Sequence, residues 1–183
     1  MGLPEAIRTD NGTPFASTSL HGLSALNLWW MQLGILHHRI PPASPQQNGT
    51  HERMHRELKR GTAIPAAAAA RAQQRCFDAF RQRYNEERPH EALGQRTPAS
   101  LWHPSPRPYP ARIAAPEYPA YFEVRTVCPS GTFKFRGATP FLSHALEHAA
   151  IGLDEVLDGV WNIVYYGTVL GRLDERTGKI TAG

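Results

Sequence analysis

The sequence predicts an α/β fold over its first part and a small antiparallel β-barrel at its end. Two short strand candidates alternate with helical stretches before residue 90, the order found in layered α/β proteins. Several short strand candidates separated by turn residues follow residue 120, which is typical of a small barrel. Seven of the 16 prolines lie between Pro98 and Pro119, and such a stretch cannot join the interior of a sheet. The chain is therefore expected to divide into residues 1–103, a linker at 104–119 and residues 120–183.

Local patterns place the elements of the first part. Apolar residues between Ser19 and Leu33 recur every three or four positions, which is the period of a helix. Pro45 after Ser44 is typical of the first position of a helix. Arg88-Pro89-His90 is expected to be structural, ending the last helix and tying it back to the core. The predicted elements in chain order are strand 6–9, helix 19–33, strand 35–40, helix 44–60 and helix 65–87.

Short apolar and β-branched runs mark the second part. Pro129-Ser130-Gly131 and Gly167 supply turns between these runs. A single helical turn is predicted at 142–146. The strand candidates are 122–127, 132–135, 160–166 and 169–172.

Composition excludes several classes of protein. No apolar run approaches the ~18 residues of a membrane-spanning helix, and the first ten residues have no signal-peptide core. Cys76 and Cys128 are the two cysteines and lie far apart in sequence, which rules out a disulfide scaffold or a four-cysteine zinc site. We expect a cytoplasmic protein without a membrane partner.

The net charge of +4 is concentrated in the first part of the chain. Residues 1–104 contain 12 Lys and Arg against 8 Asp and Glu, whereas residues 105–183 contain 8 of each kind. A local excess of basic side chains predicts a polyanionic partner, most often nucleic acid. The alternative is an ordinary solvated helix surface.

Asp10 and Glu52 are the candidate metal ligands. Asp10 follows the first predicted strand, and ligands bind at the carboxyl ends of strands in open α/β sheets. Glu52 lies in the helix that follows the second strand. Two carboxylates from separate elements suit Mg²⁺, which prefers one or two carboxylates together with waters and phosphate oxygens. The alternatives are an ordinary Asp-Asn-Gly turn and a solvated helix glutamate.

The helix that carries Glu52 also presents an amide and several cations. Asn48, Arg56 and Lys59 lie four residues before, four after and seven after Glu52, on one helical face. This combination suits a phosphodiester, because the carboxylate can hold a metal while the cations pair with neighbouring phosphates. The alternative is an ion pair between Glu52 and Arg56, worth only tenths of a kcal/mol. The candidate DNA-contacting residues are Asn48, His55, Arg56, Lys59 and Arg60.

Four ordered motifs make a specific signature together. They are Thr9-Asp10-Asn11-Gly12-Thr13-Pro14-Phe15, Ser44-Pro45-Gln46-Gln47-Asn48-Gly49-Thr50-His51-Glu52-Arg53, Tyr84-Asn85-x-x-Arg88-Pro89-His90-x-x-Leu93 and Thr97-Pro98. Through these motifs, roughly residues 1–104 resemble insertion-sequence transposases of the retroviral-integrase core type. The resemblance implies an RNase-H-like fold and a D-D-E carboxylate triad. It makes Asp10 the second catalytic Asp and Glu52 the catalytic Glu.

The resemblance further implies a role in DNA transposition and integration. Enzymes of this type cleave DNA and join the exposed 3′ hydroxyl to another phosphodiester, using two Mg²⁺ or Mn²⁺ ions. The implied partners are transposon ends, target DNA and further copies of the protein, and residues matching Arg56 and Lys59 tend to contact DNA ends. Gly159-Val160-Trp161 and Leu170-Gly171-Arg172-Leu173-Asp174 resemble the small SH3-like barrel that some of these transposases carry.

The sequence departs from the family pattern in two ways. Between Asp10 and Glu52 lie 41 residues, more than in the compact retroviral integrases. No aspartate precedes Asp10, so the first Asp of the triad is missing. We therefore expect the C-terminal portion of a transposase, with half a metal site and no ability to cleave or join DNA alone. Its first strand is expected to leave an unpaired edge, which favours self-association.

Three rival interpretations stay open. His51-Glu52-x-x-His55 matches the H-E-x-x-H zinc motif, but it lies in the first turns of its helix and no third-ligand pattern follows it. A non-catalytic DNA-binding fragment would keep the basic helices and need no metal. A decayed remnant would have no selected role.

Overall fold

The computed structural model describes residues 2–15, 22–41 and 49–182. Contacts group the chain into a helical unit, residues 40–106, and a sheet unit, residues 2–39 together with residues 107–183. This spatial grouping differs from the division expected from the prolines, because it joins residues 2–39 to the C-terminal strands. Among the described residues no helix has the length and apolar character needed to cross a membrane.

The sheet unit begins with a parallel pair of strands. β1 (Ala6–Thr9) pairs with β2 (Leu36–Arg39), and α1 (Ala25–Gln32) lies between them in sequence. Ser24 caps α1, because its hydroxyl accepts from the Asn27 backbone N–H while the Asn27 side chain accepts from the Ser24 backbone N–H. The predicted order of strand, helix and strand is confirmed here, and residues 19–21 of the predicted helix lie outside the described part of the chain.

The C-terminal part of the sheet unit is a five-stranded antiparallel sheet with strands in sequence order. The strands are β3 (Glu123–Thr126), β4 (Ala150–Leu157), β5 (Val160–Tyr165), β6 (Thr168–Asp174) and β7 (Lys179–Ala182). The predictions at 122–127, 160–166 and 169–172 are confirmed, whereas 132–135 forms only isolated bridges. The sequence patterns missed β4 and β7. The described ladders leave β3 and β7 at opposite edges, so this is an open sheet and the predicted closed barrel is not confirmed.

α1 joins the two sheets because it is apolar on two sides. Leu28 belongs to the buried core of the five-stranded sheet. Trp30 and Leu33 form a second cluster with Ile35, against which Ile7 of β1 also packs. A helix that is apolar around most of its circumference must be buried on both sides. This two-sided burial explains why residues 2–39 group with the C-terminal strands.

Part of the proline-rich segment is held against the sheet unit. The Arg107 guanidinium donates to the carbonyl oxygens of Leu33 at 2.6 Å and Pro4 at 3.0 Å. The Arg107 carbonyl accepts from the Leu3 backbone N–H at 2.7 Å. Further along, the Tyr166 hydroxyl donates to the carbonyl of Ala114 at 2.6 Å. The segment predicted as a linker is thus fixed at separate points along its length.

The helical unit contains α2 (Gly49–Thr62), α3 (Ala70–Gln82) and the short α4 (Pro98–Leu101). A π-helical turn at Arg83–Glu87 continues α3 and completes the stretch predicted to end at residue 87. The predicted start of α2 at residues 44–48 lies outside the described part of the chain.

Gln73 defines the turn between α2 and α3. Its side chain accepts from the Ala67 backbone N–H at 2.8 Å and donates to the carbonyl of Thr62 at 2.6 Å. Because these bonds stabilise a turn, α3 begins at Ala70 and not at Pro65 as predicted.

α2 and α3 pack through apolar side chains. Met54 and Leu58 of α2 line a cleft of about 560 Å³ together with Phe77, Phe80 and Tyr84. Met54 and Leu58 are half-buried, whereas the charged residues around them on α2 are mostly exposed. The inward stripe of α2 therefore leaves its charged face open to solvent.

Candidate catalytic carboxylates and nucleic-acid interface

Asp10 follows β1 at the surface of the sheet unit. Its side chain is exposed, and its Oδ1 accepts a hydrogen bond from the Gly12 backbone N–H at 2.9 Å. This bond makes an Asx turn, so the Asp-Asn-Gly sequence has a structural role at this position. Oδ2 makes no hydrogen bond or ion pair with the described residues, which leaves an oxygen of Asp10 available to a ligand.

A line of hydrogen bonds lies behind Asp10. The Thr9 hydroxyl donates to the Asp10 carbonyl oxygen at 2.9 Å and lies 2.8 Å from Nε2 of His37. Nδ1 of His37 lies 3.0 Å from Nδ2 of Asn27. Thr9 is 8% exposed and Asn27 is 2% exposed, so both polar side chains are buried with partners. The structure thus connects the end of β1 to α1 through the ring of His37.

His37 is packed as well as hydrogen-bonded. Its ring meets Trp30 edge to face, with centroids 4.8 Å apart. Desolvation lowers the pKa of His37, and the nearby charges of Arg39 and His38 lower it further. These effects favour the neutral ring. Neither the charge analysis nor the motif spacing identified His37 or Asn27, because their partners lie far away in sequence.

Glu52 lies in the first turn of α2 and its side chain is exposed. It forms no hydrogen bond or ion pair with the described residues, and the alternative i,i+4 pair with Arg56 is not present. A carboxylate in the first turn also interacts favourably with the helix dipole. Glu52 is therefore a solvent-facing carboxylate that is free to bind a cation.

The predicted DNA-contacting side chains on α2 are exposed. None of the described ones forms an ion pair within the described residues, and Lys59 and Arg60 occupy the last turn. Asn48 lies outside the described residues. The residues concerned are His55, Arg56, Lys59 and Arg60. The basic side chains among them lie on the same helix as Glu52, so that positive charge without an ion-pair partner in the described residues lies near an exposed carboxylate.

Arg88 links the end of the helical stretch to α2. Its guanidinium donates to both carboxylate oxygens of Glu57, with Nη2 at 3.1 Å from Oε1. Beside it, Nε2–H of His90 donates to the carbonyl of Tyr84 at 3.3 Å, and the two rings meet edge to face. The structural role expected of Arg88-Pro89-His90 is confirmed.

A small cleft of about 290 Å³ adjoins the Arg88–Glu57 pair. The stacked rings of Phe80 and Tyr84, with centroids 5.5 Å apart, form one side. Arg60 and Arg83 also line the cleft and have no ion pair in the described residues. Arginine next to aromatic faces is an arrangement that suits phosphates and bases. The motif analysis missed Arg83, whose only sequence signal is the general basic character of the stretch predicted as helix 65–87.

The zinc alternative lacks a third ligand in the part of the chain that the structure describes. His51 and His55 lie edge to face on α2 with ring centroids 5.8 Å apart, and both are exposed. Across residues 2–15, 22–41 and 49–182, no group of three or more His, Cys, Asp or Glu side chains is placed to hold a metal. The H-E-x-x-H motif is thus an exposed pair of histidines.

Asp10 belongs to the sheet unit, and Glu52 and the α2 cations belong to the helical unit. The structure describes the contacts of Asp10 within the sheet unit and those of Glu52 within the helical unit. The meeting of Asp10 and Glu52 at one metal site stays a prediction.

Residues 33–98 match the family model of the integrase core domain. The matched range includes Glu52, Arg88 and the Thr97-Pro98 motif, and Asp10 lies before it. An uncharacterized 39.2 kDa protein of insertion element IS476 from Xanthomonas euvesicatoria is 35% identical over 101 residues. That alignment covers 55% of this chain and 28% of the relative's length. These similarities confirm the resemblance drawn from the motifs and the α/β class of the first part.

Proposed function

We propose that this chain acts in DNA transposition, because residues 33–98 match the integrase core model and 101 residues of the chain are 35% identical to an insertion-element protein. In this proposal it contributes two carboxylates of a D-D-E site that cleaves and transfers DNA strands. The observation that carries the proposal is the exposed face of α2. There Glu52 lies beside Arg56 and Lys59, without internal ion pairs and inside the matched segment.

Asp10 and Glu52 are the proposed ligands of Mg²⁺ or Mn²⁺. Both are exposed carboxylates, and each retains oxygen atoms without a partner in the described residues, which suits hard divalent cations. When bound, the ions would stabilise charge on the attacking and leaving oxygens of a phosphodiester. The chain's other contribution is to position the DNA. Arg56 and Lys59 pair with backbone phosphates and hold the DNA strand beside the carboxylates.

The proposed DNA surface consists of α2 and the adjoining cleft. Cations without an internal partner gain most from phosphate contacts, because no ion pair has to be broken first. The stacked pair Phe80–Tyr84 adds aromatic surface beside Arg83. The proposed contacts on α2 and before it are Asn48, His55, Arg56, Lys59 and Arg60.

This chain alone is proposed to be inactive in strand transfer. A D-D-E site needs three carboxylates, and the motifs of this chain supply two candidates, Asp10 and Glu52. We expect no Mg²⁺-dependent joining of labelled duplex DNA by the purified chain. Joining above background would refute this part of the proposal.

Self-association is a further proposal. β1 and β2 pair only with each other in the described residues, and parallel sheets are seldom so small. Their outer edges can accept a strand from a second copy. Sedimentation velocity over a range of concentrations is expected to show dimers or larger species, and a monomer at every concentration would contradict it.

DNA binding as a function of salt tests the proposed surface. Fluorescence anisotropy with a labelled duplex is expected to show affinity that falls steeply between about 50 and 200 mM salt. The double variant Arg56→Gln/Lys59→Gln should bind more weakly, and its log–log salt slope should decrease by about 0.9 for each phosphate that it no longer neutralises. The matched control is Arg172→Gln/Lys179→Gln, which removes the same charge from exposed positions of the five-stranded sheet. Equal weakening by both pairs would mean that net charge, and not the α2 face, determines binding.

The same face supports a second candidate function, DNA binding without catalysis. The two functions differ in their response to metal. If Glu52 binds Mg²⁺ next to DNA, Mg²⁺ should strengthen binding by the native chain at constant ionic strength and should have no such effect on Glu52→Gln. An identical response of both proteins would favour the non-catalytic function.

A further inference from the structure

Asn27 determines the direction of the hydrogen bonds behind Asp10. Its Oδ1 accepts from the Ser24 backbone N–H at 3.0 Å, and a backbone N–H can only donate. This assigns the other end of the amide as Nδ2, which has two protons. One donates to the Phe15 carbonyl at 3.1 Å, and the other points to Nδ1 of His37 at 3.0 Å.

The ring of His37 therefore has a defined tautomer. Because Nδ1 accepts from Asn27, it carries no proton, and the proton of the neutral ring lies on Nε2. Nε2–H then donates to the Thr9 hydroxyl oxygen at 2.8 Å. This leaves the proton of the Thr9 hydroxyl for the Asp10 carbonyl at 2.9 Å. All hydrogen bonds run in one direction, from Asn27 through His37 and Thr9 to Asp10.

The same side chain of Asn27 fixes both ends of the Asp10 loop, residues 10–15. It reaches the start of the loop through His37 and Thr9, and its end directly at the Phe15 carbonyl. The Phe15 ring also stacks on Trp30, with an angle of 15° between the planes. Within the loop, the Asp10 carboxylate is held by Gly12 N–H. The loop is therefore clamped to α1 and β2 while the carboxylate stays exposed.

We propose that His37 is a positioning residue that holds the Asp10 loop in place through Thr9, and so orients the carboxylate of Asp10. The inference rests on the proposed function only in giving that orientation a purpose, namely binding of a metal at Asp10. A directional chain of partly buried hydrogen bonds restricts the backbone at Asp10 to one conformation. Preorganised ligands of this kind support metal binding better than mobile ones.

NMR spectroscopy of the full chain tests the inference without DNA or metal. Long-range ¹H–¹⁵N correlation is expected to show His37 as the Nε2–H tautomer. Thr9→Val removes the hydroxyl while keeping the side-chain volume, and we expect it to shift the backbone amide signals of Asn11 and Gly12. Thr9→Ser keeps the hydroxyl and should leave those signals close to their native positions. His38→Gln is the control, since His38 takes no part in this chain of hydrogen bonds.

The outcomes separate the inference from the proposed function. A Nδ1–H tautomer in the native chain would overturn the inference, and that measurement needs no variant to fold. Unchanged Asn11 and Gly12 signals in Thr9→Val would overturn it as well. The expected tautomer and the expected shifts, in a chain where Mn²⁺ causes no line broadening near Asp10, would support the positioning role and refute the proposed metal site.

Discussion

The Arg88 guanidinium donates hydrogen bonds to both carboxylate oxygens of Glu57, a residue 31 positions earlier in the chain. This pair connects the turn that follows α3 to the middle of α2, which also carries Glu52 and the DNA-contacting candidates. A two-pronged contact of this kind needs the planar fork of arginine. The pair therefore helps to fix the helix that displays the proposed DNA surface.

Replacement of the Arg88 guanidinium is expected to destabilise the helical unit. Neither Arg88→Lys nor Arg88→Gln can make the paired hydrogen bonds to Glu57, and Lys keeps only a single charged partner. Thermal unfolding followed by the helical circular dichroism signal should show a lower melting temperature, with the Gln variant lower than the Lys variant. Arg81→Gln is the control, because Arg81 and Asp78 form a looser pair at 3.6 Å with Arg81 75% exposed. Equal melting temperatures for Arg88→Gln and Arg81→Gln would contradict the assigned role.

Phe133 is expected to be essential to the core of the five-stranded sheet. Its side chain is 0% exposed, so Phe133→Ala leaves a cavity and should lower the free energy of unfolding by about 3–5 kcal/mol. Phe141→Ala is the control, because Phe141 is 40% exposed and its removal should cost about 1 kcal/mol or less. Denaturant unfolding can be followed by tryptophan fluorescence, to which Trp161 of the same core contributes. Similar destabilisation by both variants would show that Phe133 is not buried as described.

Gly152 in β4 is expected to resist any side chain. A Cβ there would lie 2.6 Å from a ring carbon of Tyr118 and 2.7 Å from one of Phe122. Gly152→Ala must displace these rings and should destabilise the sheet unit by about 1–3 kcal/mol. Gly49→Ala is the comparison, since nothing lies within 4 Å of its added Cβ. If Gly152→Ala unfolds at the same denaturant concentration as the native chain, the packing of Tyr118 over β4 is wrong.

Tyr118 is expected to make the sheet unit sensitive to alkaline pH. Burial raises the pKa of its hydroxyl to about 12, and that hydroxyl donates to the Ala150 carbonyl at 2.8 Å. The folded state thus favours the neutral phenol relative to the unfolded state, where the pKa is about 10. Its contribution to stability is complete below pH ~10 and is lost as the pH rises from ~10 towards 12. Stability between these pH values should fall less in Tyr118→Phe than in the native chain, and an identical pH dependence would refute the assignment.

Short-range patterns were sufficient for the elements around Asp10. Ala6–Thr9 is a strand at the predicted residues, because β-branched Ile7 and Thr9 alternate there and an Asp-Asn-Gly turn follows. The face of α2 followed directly from helical spacing. Pattern failed for β4, where Gly152 interrupts the apolar run and Asp154-Glu155 follow it. The strand pairs with β3 and β5, and Tyr118 and Phe122 cover its glycine. The contacts with β3, Tyr118 and Phe122 are long-range and lie outside any local window.

The candidate site residues show the same difference. Asp10 and Glu52 are predicted from the motifs that contain them, whereas His37 and Asn27 are connected to the Asp10 loop by hydrogen bonds between residues 28 and 10 positions apart, Thr9–His37 and Asn27–His37. The sequence pattern also does not predict that α1 is buried on two sides. The helical period of its apolar residues predicts a helix, but it does not show that Leu28 and Trp30 belong to different clusters. Long-range packing decides both features.

Paramagnetic line broadening by Mn²⁺ tests the central claim, that Asp10 and Glu52 are the metal ligands. Substoichiometric Mn²⁺ added to the ¹⁵N-labelled chain should selectively broaden the amide signals of Asp10 to Gly12 and of the first turn of α2. Asp10→Asn should abolish the broadening at Asp10, and Glu52→Gln that at α2. Exposed carboxylates elsewhere, such as Asp158 with a side chain 92% exposed, should be affected no more than the bulk surface. Broadening that is uniform over all exposed carboxylates, or unchanged in Asp10→Asn and Glu52→Gln, would contradict the account.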